Sequence, residues 1–300
     1  MSGQKSHNLL VLNVGFTVEL DGPGQRMVVY LKGCNMRCPW CAAPESISPR
    51  PEALFYPGRL NDSSRAITVC PHGAITVVED AVQRNTAVCD SCDTLECLNS
   101  DNPAFERAGE EIGVQELVEK VIRYKSFFPK LGGVTIGGGE PTCQFSGVKA
   151  VLAKLREKDI HTAIETNGTS KLLPRLFPTL DLLFIDLKHP DNKTAEKLTG
   201  QGNEIIMSNI RERHAQGGQI IVRICLVPGF NSDDDTLNAF GSILSEIGPL
   251  NVEILPFHRR GEVKWKALGH EYPSKNVQEP SPELVQHAQS ILSNYGLKVR

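Results

Sequence analysis

Short apolar runs alternate with longer amphipathic stretches through most of this 300-residue sequence. The longer stretches repeat their apolar residues at helical spacing, and the short runs have the length of buried strands. Because repeated strand–helix units build a parallel sheet covered by helices, the pattern predicts an α/β fold. The six expected strands span residues 25–33, 132–138, 161–166, 181–188, 219–227 and 251–258. The expected helices span residues 113–128, 145–158, 203–217 and 234–248. Six such units fit an open or partial (β/α) barrel as readily as a doubly wound sheet.

Charge and hydropathy exclude several classes of protein. The chain has 32 Lys and Arg against 35 Asp and Glu, a net charge of −3, and no long basic run. Neither nucleic acid nor an anionic membrane is therefore expected as a partner. The first twenty residues lack the long apolar stretch and cleavage site of a signal peptide, and no segment has the length of a membrane span. We expect a soluble, cytoplasmic monomer.

Nine cysteines are the most informative residues, because thiols of an intracellular protein are more often metal ligands or redox groups than disulfides. Cys34, Cys38 and Cys41 follow the first strand as CxxxCxxC, with no fourth cysteine or histidine close behind. A structural zinc site needs four protein ligands, whereas three thiolates can hold a 4Fe–4S cluster and leave one iron open. The spacing favours the cluster over a zinc site whose fourth ligand lies elsewhere. Cys143 and Cys225 stand alone, and we assign neither a ligand role.

Other polar motifs also stand at the C-terminal ends of the expected strands. GGGEP (137–141), ETNG (165–168) and DLKH (186–189) each follow or close a strand. Arg223 lies inside the fifth strand, and His258 ends the sixth. In barrels of parallel strands, active sites form at this end. The common location of the motifs predicts a single site built from several loops.

With these motifs in this order, the sequence resembles the radical S-adenosyl-L-methionine (SAM) enzymes, which share CxxxCxxC. It is most similar to the activating enzymes of glycyl-radical enzymes, through DGPG before the first strand and then GGGEPT, IETNG, IDLKH, VPGFN and LPFH. The resemblance covers nearly the whole chain, with one departure: Ala42 and Ala43 stand where relatives often carry His-Asn. It implies a 4Fe–4S cluster at Cys34, Cys38 and Cys41 whose open iron is chelated by the methionyl amine and carboxylate of SAM.

The resemblance also implies which residues contact SAM. Asp186 and Lys188 are expected at its ribose and carboxylate, and their alternation with apolar residues turns both to one side of the strand. Glu140 is expected to accept from the methionyl ammonium, and the neighbouring glycines to let the backbone approach the ligand. The full expected set is Trp40, Ala42, Gly138, Gly139, Glu140, Glu165, Asn167, Asp186, Leu187, Lys188 and His258.

Several of these residues have simpler structural explanations. Asp186 and Lys188 would also fit a buried salt bridge, and three consecutive glycines would fit a tight turn. Trp40 would be unremarkable as a core aromatic, and His258 as a hydrogen-bonded histidine at the end of a strand.

Residues 47–108 interrupt the strand–helix pattern and are interpreted as an inserted module. Two-cluster ferredoxins use C-x-x-C-x-x-C-x-x-x-C-P, and the fourth cysteine of each motif binds the other cluster. Cys70-Pro71 resembles the end of such a motif, but its three earlier ligand positions hold Leu60, Ser63 and Ala66, so that cluster is expected to be missing. The remaining Cys70, Cys89, Cys92 and Cys97 would hold one auxiliary 4Fe–4S cluster, with zinc on four thiolates as the alternative.

The sequence thus predicts a partial (β/α)6 TIM-type barrel from residues 1–46 and 109–300, with a ferredoxin-like insert at 47–108. By resemblance, the reduced cluster cleaves SAM to methionine and a 5′-deoxyadenosyl radical, which takes hydrogen from a backbone glycine of a partner glycyl-radical enzyme. A low-potential reductant such as flavodoxin or ferredoxin and an anaerobic setting are expected. Two alternatives stay open: a radical SAM enzyme that acts on a small molecule or a peptide, and a two-cluster electron-transfer protein.

Overall fold

The structure of the protein, a computed structural model, describes residues 8–19, 21–60, 70–78, 81–99, 102–128 and 132–300. Ser63 and Ala66, two of the positions where a ferredoxin ligand is missing, lie outside these ranges. In the part of the chain so described, every helix is too short or too polar to cross a membrane.

The described strands and helices follow one another along most of the chain. The strands are β1 (Asn8–Val18), β2 (Gln25–Leu31), β3 (Glu52–Phe55), β4 (Ile75–Val78), β5 (Ala81–Arg84), β6 (Phe105–Ala108), β7 (Glu110–Gly113), β8 (Gly133–Gly138), β9 (His161–Thr166), β10 (Leu182–Asp186), β11 (Gln219–Leu226), β12 (Asn251–Pro256) and β13 (Lys298–Val299). The helices are α1 (Thr86–Asp90), α2 (Val114–Arg123), α3 (Phe145–Arg156), α4 (Asn192–Thr199), α5 (Glu204–Ala215), α6 (Asp234–Ser245), α7 (Glu262–Ala267) and α8 (Pro282–Ser293).

Nine of the strands form one mixed sheet in the order β13-β12-β11-β10-β9-β8-β2-β1-β7. The six central strands, from β12 to β2 in that order, are parallel to one another. They are the six strands predicted from the sequence. β1 pairs antiparallel with both β2 and β7. Among the described residues no pairing joins β7 to β13, so the sheet has two edges.

The parallel strands bury both faces, as such strands do when helices cover the sheet. On β10, Leu183, Ile185 and the following Leu187 point into the main apolar core with the helices. Phe184 points to the opposite face with Ala163 of β9. Asp186 is the last residue of β10, and Lys188 follows two residues later. Both lie on the same face as Phe184, because successive side chains alternate between faces. The strand thereby delivers two charged groups to one end of the sheet.

The predicted helices are present as α2, α3, α5 and α6, each ending a few residues earlier than expected. α6 begins within a run of three aspartates: Asp233 accepts a hydrogen bond from the Thr236 amide at 2.9 Å, and Asp234 and Asp235 occupy the first turn. An oxygen at this position satisfies an amide that has no partner inside the helix. Carboxylates in the first turn also suit the positive end of the helix dipole.

Between residues 47 and 108 the described strands stay apart from the large sheet. β3 pairs with β6, and β4 with β5, each antiparallel. Phe55, Ile75 and Ala104 form a small apolar cluster there, against which Cys70 packs. α1, which follows β5 directly, carries Cys89.

Candidate active site

A cavity of about 540 Å³ lies at the C-terminal ends of the parallel strands. Its size falls within the range of about 300–1,000 Å³ usual for small-molecule sites. The predicted residues that line it are Cys34, Cys38, Trp40, Cys41, Ala42, Gly138, Gly139, Glu165, Asn167, Asp186, Lys188 and His258. Among the predicted residues, Glu140 and Leu187 do not belong to the described lining.

Residues 33–47, the cysteine loop, carry Cys34, Cys38 and Cys41. Two backbone hydrogen bonds join the beginning of this loop to its end. The Gly33 amide donates to the Ser46 carbonyl at 2.7 Å, and the Cys34 amide to the Ile47 carbonyl at 3.0 Å. Burial raises the pKa of the Cys38 thiol to about 11, although the nearby Lys188 ammonium opposes the shift. Burial likewise raises the pKa of the Cys41 thiol to about 12. Because ligand thiols must lose their protons, a positively charged group bound to them would favour their thiolate forms.

None of the nine cysteines, all of which are described, forms a disulfide. Over the described ranges, no three His, Cys, Asp or Glu side chains come close enough together to hold one metal ion. A tetrahedral zinc site requires that closeness, since each Zn–S bond is about 2.3 Å long. The thiols of Cys34, Cys38 and Cys41 therefore line the cavity but are too far apart to bind one metal ion together.

The glycines at the end of β8 are required by neighbouring backbone. Gly138 has φ +106°, and a Cβ atom there would lie 2.3 Å from the Leu31 amide nitrogen. A Cβ atom on Gly139 would lie 2.4 Å from the Gly33 carbonyl oxygen. The Gly139 amide also donates to the Leu31 carbonyl at 2.9 Å. The close approach that we predicted toward a ligand is thus made toward β2 and the start of the cysteine loop, although both glycines do line the cavity.

Glu140 is buried beside the cavity and joins two of its loops. Its carboxylate accepts hydrogen bonds from the Thr142 amide at 2.8 Å, the Thr166 hydroxyl at 2.8 Å and the Asn167 amide at 2.7 Å. Burial raises the pKa of Glu140, and these hydrogen bonds oppose the shift. The carboxylate therefore fixes the ETNG loop against the GGGEP loop. Its contact with a methionyl ammonium stays a prediction.

Leu187 is fully buried in the core, so its side chain cannot reach the cavity. Its amide donates to the Arg223 carbonyl at 2.9 Å, which extends the pairing of β10 with β11 by one residue. Lys188, the next residue, turns back into the cavity and pairs with Asp186 at 2.9 Å. Burial alone would lower the pKa of Lys188, but Asp186 and the thiols of Cys38 and Cys225 outweigh it, and that pKa is raised.

Comparison with known proteins identifies the family to which this site belongs. The family model described as the radical SAM superfamily matches residues 28–240, which include the cysteine loop and the ends of β8 to β11. The chain belongs to the radical SAM superfamily.

Two curated relatives of this radical SAM protein are activating enzymes. The indoleacetate decarboxylase activating enzyme of Tractidigestivibacter scatoligenes is 32% identical over 292 residues, which cover 93% of this chain and 92% of that protein. The 4-hydroxyphenylacetate decarboxylase activating enzyme of Clostridioides difficile strain 630 is 33% identical over 307 aligned positions, covering 99% and 97%. These matches confirm the resemblance to radical SAM activating enzymes that the motifs indicated.

Similarity to a solved structure supports the fold but carries no information on the activity. The crystal structure of Streptococcus suis SuiB bound to precursor peptide SuiA aligns with a TM-score of 0.53 at 13% identity. The alignment covers 91% of this chain and 47% of that one, so this radical SAM protein spans about half of the SuiB chain.

The radical SAM cavity also has wall residues that the predicted set omitted. Phe184, Arg223, Cys225 and Phe257 line it. The alternation of strand faces could have identified two of them, because Phe184 stands two residues before Asp186 and Cys225 two residues after Arg223. Cys225 packs against the apolar cluster around Trp40, as expected of a core residue, and faces the cavity as well.

Trp40 and His258 both line the radical SAM cavity. Trp40 is only 5% exposed and packs against Phe230, with ring centroids 5.3 Å apart. Nδ1 of His258 is buried and has no hydrogen-bond partner among the described residues. A buried nitrogen without a partner is costly. A ligand that forms a hydrogen bond with Nδ1 of His258 would remove this cost.

A second cavity, of about 40 Å³, lies in the insert of this radical SAM protein. All four cysteines predicted as auxiliary ligands line it, namely Cys70, Cys89, Cys92 and Cys97. Arg50 and Arg84 line it too, and their guanidinium groups can offset thiolate charge. Burial raises the pKa of the Cys97 thiol to about 11, and the charges of the neighbouring thiols add to the shift.

Proposed function

We propose that this protein is a radical SAM activating enzyme that generates a glycyl radical on a partner glycyl-radical enzyme. One observation carries the proposal: three thiols with CxxxCxxC spacing meet the strand-end residues in a single cavity. They do so in a chain that matches two activating enzymes over 93% and 99% of its length. Neither of the alternatives drawn from the sequence has a comparable observation behind it.

The cavity residues fit a 4Fe–4S cluster and SAM by their chemistry. Cys34, Cys38 and Cys41 would hold three irons, and a three-thiol set leaves the fourth iron for the methionyl group. The Lys188–Asp186 pair would meet the carboxylate and ribose of SAM, and the unpartnered Nδ1 of His258 would gain a hydrogen bond there. A reduced 4Fe–4S cluster bound there would supply the electron for cleavage of SAM to methionine and a 5′-deoxyadenosyl radical. The protein residues position SAM and exclude water.

The finer architecture belongs to the same proposal. We infer that the six parallel strands form a partial (β/α)6 barrel from residues 1–46 and 109–300. Support comes from the two unpaired sheet edges in the described chain and from a cavity at the C-terminal strand ends. A barrel that does not close leaves a lateral opening, which would admit a peptide loop of the partner.

We further propose that residues 47–108 are a ferredoxin-like insert with one auxiliary 4Fe–4S cluster at Cys70, Cys89, Cys92 and Cys97. Four thiols around one cavity beside two arginines support this. Zinc on four thiolates is the competing assignment. Metal analysis of the reconstituted protein distinguishes the two assignments.

The proposed setting follows from this chemistry. The protein would act in an anaerobic cytoplasm as a monomer and receive electrons from a low-potential flavodoxin or ferredoxin. The two relatives are named for different decarboxylases, so the partner is proposed by class alone, as a glycyl-radical enzyme.

The test reconstitutes the protein anaerobically, reduces it in the presence of SAM and measures 5′-deoxyadenosine. Electron paramagnetic resonance then looks for a glycyl radical in a glycyl-radical enzyme encoded beside this gene. Both signals are expected. Deoxyadenosine without a radical in any partner would favour a small-molecule or peptide substrate. No deoxyadenosine at all would leave an electron-transfer protein.

A further inference from the structure

We propose that residues 261–270, the bridge segment, couple the cysteines of the insert to the CxxxCxxC loop. In this proposal, ligand binding by the insert cysteines sets the position of the Cys41 main chain. The inference rests on the proposed function, because it takes both cysteine sets to be ligands. The bridge segment contains the short helix α7, and none of its residues is a predicted ligand.

One end of the bridge segment holds the cysteine loop. The indole Nε1 of Trp265 donates a hydrogen bond to the Cys41 carbonyl at 3.0 Å. Lys264 forms an ion pair with Glu45, which is 4% exposed and lies four residues beyond Cys41. A Cβ atom on Gly261 would lie 2.7 Å from the Cys41 carbonyl oxygen. That contact is with backbone, so any side chain at position 261 would displace the loop.

The other end of the bridge segment holds the insert. Arg84 Nη1 donates to the Ala267 carbonyl at 2.6 Å, and the Thr86 hydroxyl to the Gly269 carbonyl at 3.0 Å. Gly269 has φ +85°, and a Cβ atom there would lie 2.6 Å from the Thr86 hydroxyl oxygen. Both ends of the segment therefore carry a glycine where the chain passes closest to a cysteine site.

These insert contacts are made by α1, which carries Cys89, and by Arg84, the last residue of β5. Thr86 and Asp90 are the first and last residues of α1, and Cys89 lies between them. His270 Nε2 is 3.9 Å from Asp90 Oδ1. Arg84, just before α1, also lines the cavity of the insert cysteines. A shift of α1 on ligand binding would therefore move the partners of residues 267–270.

The bridge segment is short and internally bonded, so a displacement at one end reaches the other. The His270 amide donates to the Trp265 carbonyl at 2.9 Å, and the Leu268 amide to the Lys264 carbonyl at 3.0 Å. Ala267 and Leu268 are buried against Leu54 of β3 and against Ala108. Packed elements of this kind transmit small shifts, because a well-packed interface does not deform continuously.

The test measures amide hydrogen exchange in the reconstituted protein, in the peptide that contains Cys41, Ser46 and Ile47. These three amides donate to carbonyls within the loop, at 3.1, 2.9 and 3.0 Å. The double variant Cys89→Ser/Cys92→Ser removes ligands in the insert. Trp265→Phe keeps a ring but removes the indole donor. Each should speed exchange of the loop amides roughly fivefold, the effect of losing one neutral hydrogen bond.

The two changes combined should speed exchange by less than the product of their separate effects, because both act on the loop through the bridge segment. Val263→Ala is the matched control: Val263 lies in the same helix with 61% exposure and should leave exchange unchanged. Multiplied effects in the combined variant, or no effect of Cys89→Ser/Cys92→Ser, would overturn the coupling. If Trp265→Phe does not fold, Thr86→Val answers the same question from the insert side.

A spectroscopic readout separates this inference from the proposed function. The cluster at Cys34, Cys38 and Cys41 should change its electron paramagnetic resonance line shape on addition of SAM. Trp265→Phe should alter that line shape while the iron content stays constant. An unaltered spectrum with normal SAM cleavage would reject the bridge and keep the proposed function. A wild-type protein that binds no cluster would reject the proposed function itself.

Discussion

The guanidinium of Arg223 donates to the carboxylate of Glu165 at 2.5 Å, although strand β10 lies between their strands. It reaches across by covering the ring of Phe184 on β10, 3.9 Å from the ring centroid. Its Nε also donates to Glu253 on β12 at 2.6 Å. Burial raises the pKa of Glu165 to about 7, even though Arg223 opposes the shift. A carboxyl in the cavity wall therefore titrates near neutral pH.

We predict that the free energy of unfolding depends on pH through the titration of Glu165, and that Glu165→Gln removes this contribution. The pKa of Glu165 rises from its ordinary value of 4.5 to about 7 in the folded protein, so the folded state holds the proton more tightly. By linkage, the free energy of unfolding then falls as pH rises through that interval. Urea unfolding of the metal-free protein between about pH 5 and about pH 8 measures the slope.

The matched control for this titration is Glu157→Gln, since Glu157 is exposed. Glu165→Gln should lose less stability than the wild type over the same pH interval, and the control should follow the wild type. Parallel slopes in all three proteins would show that Glu165 is ionised throughout.

Local sequence patterns predicted the elements of this site better than the contacts between its loops. The strand alternation that turns Asp186 and Lys188 to one side is a property of neighbouring residues, and the structure confirms it. The inward turn of Glu140 depends on Thr166 and Asn167, which lie 26 and 27 residues away in sequence. No periodicity in the sequence indicates such a contact.

The same limit explains what the sequence did not reveal around the cysteine loop. Trp265 and Cys41 are 224 residues apart, so their hydrogen bond exists only because β12 returns the chain to the cavity. β1 was not predicted as a strand. Its sequence does not alternate regularly between buried apolar and exposed polar residues, because polar Asn13 interrupts the apolar run and apolar Phe16 is half-exposed.

We predict that Asp186→Asn and Lys188→Ala weaken SAM binding by at least about tenfold, or about 1.4 kcal/mol. The two groups form an ion pair at 2.9 Å, yet their side chains keep 29% and 15% exposure toward the cavity. A ligand carboxylate or hydroxyl can therefore reach them. Calorimetric titration of the reconstituted protein with SAM measures the loss. Lys275→Ala breaks an exposed pair with Glu271 and serves as the control. Normal binding together with a much lower melting temperature would mean that the pair is structural.

Replacing Cys38 by Ala should abolish reductive cleavage of SAM. Two thiolates cannot hold a cluster with one open iron, and the alanine side chain supplies no replacement ligand. Production of 5′-deoxyadenosine measures the effect. Cys143→Ala is the matched control, because that thiol is exposed and has no assigned role. Undiminished deoxyadenosine from Cys38→Ala would remove the cluster from this loop.

Anaerobic reconstitution should load about eight irons per chain, from two four-iron clusters. The double variant Cys89→Ser/Cys92→Ser should retain about four, because the loop cluster does not use those thiols. Metal analysis by mass spectrometry gives both counts and reports zinc in the same measurement. One zinc with about four irons would mean that the insert binds zinc. About twelve irons would require a ligand set beyond the four insert cysteines.

The last prediction concerns the partner's glycine, which must reach the cavity. The residues proposed to contact SAM lie at the C-terminal strand ends, and the DGPG turn, Asp21 to Gly24, precedes β2 at the opposite end of the strands. The Thr135 hydroxyl donates to the Asp21 carbonyl at 2.6 Å, which fixes this turn against β8. We expect an extended peptide to enter along the side where the described sheet does not close. A loop lying there would pass the cavity and touch the turn.

A peptide that spans the partner's glycine should therefore deliver deuterium from an α-deuterated glycine into 5′-deoxyadenosine. The transferred atom identifies the glycine as the donor, which radical formation alone does not do. The control is the same peptide with α-deuterated alanine in place of the α-deuterated glycine. It should give no transfer, because the added methyl group crowds the deuterium that must point at the reacting carbon. Mass spectrometry of the deoxyadenosine reads the label. Deuterium transfer from a small molecule, and none from any glycyl-radical partner, would contradict the activating role and leave the cavity and its cofactors as the site of a different radical reaction.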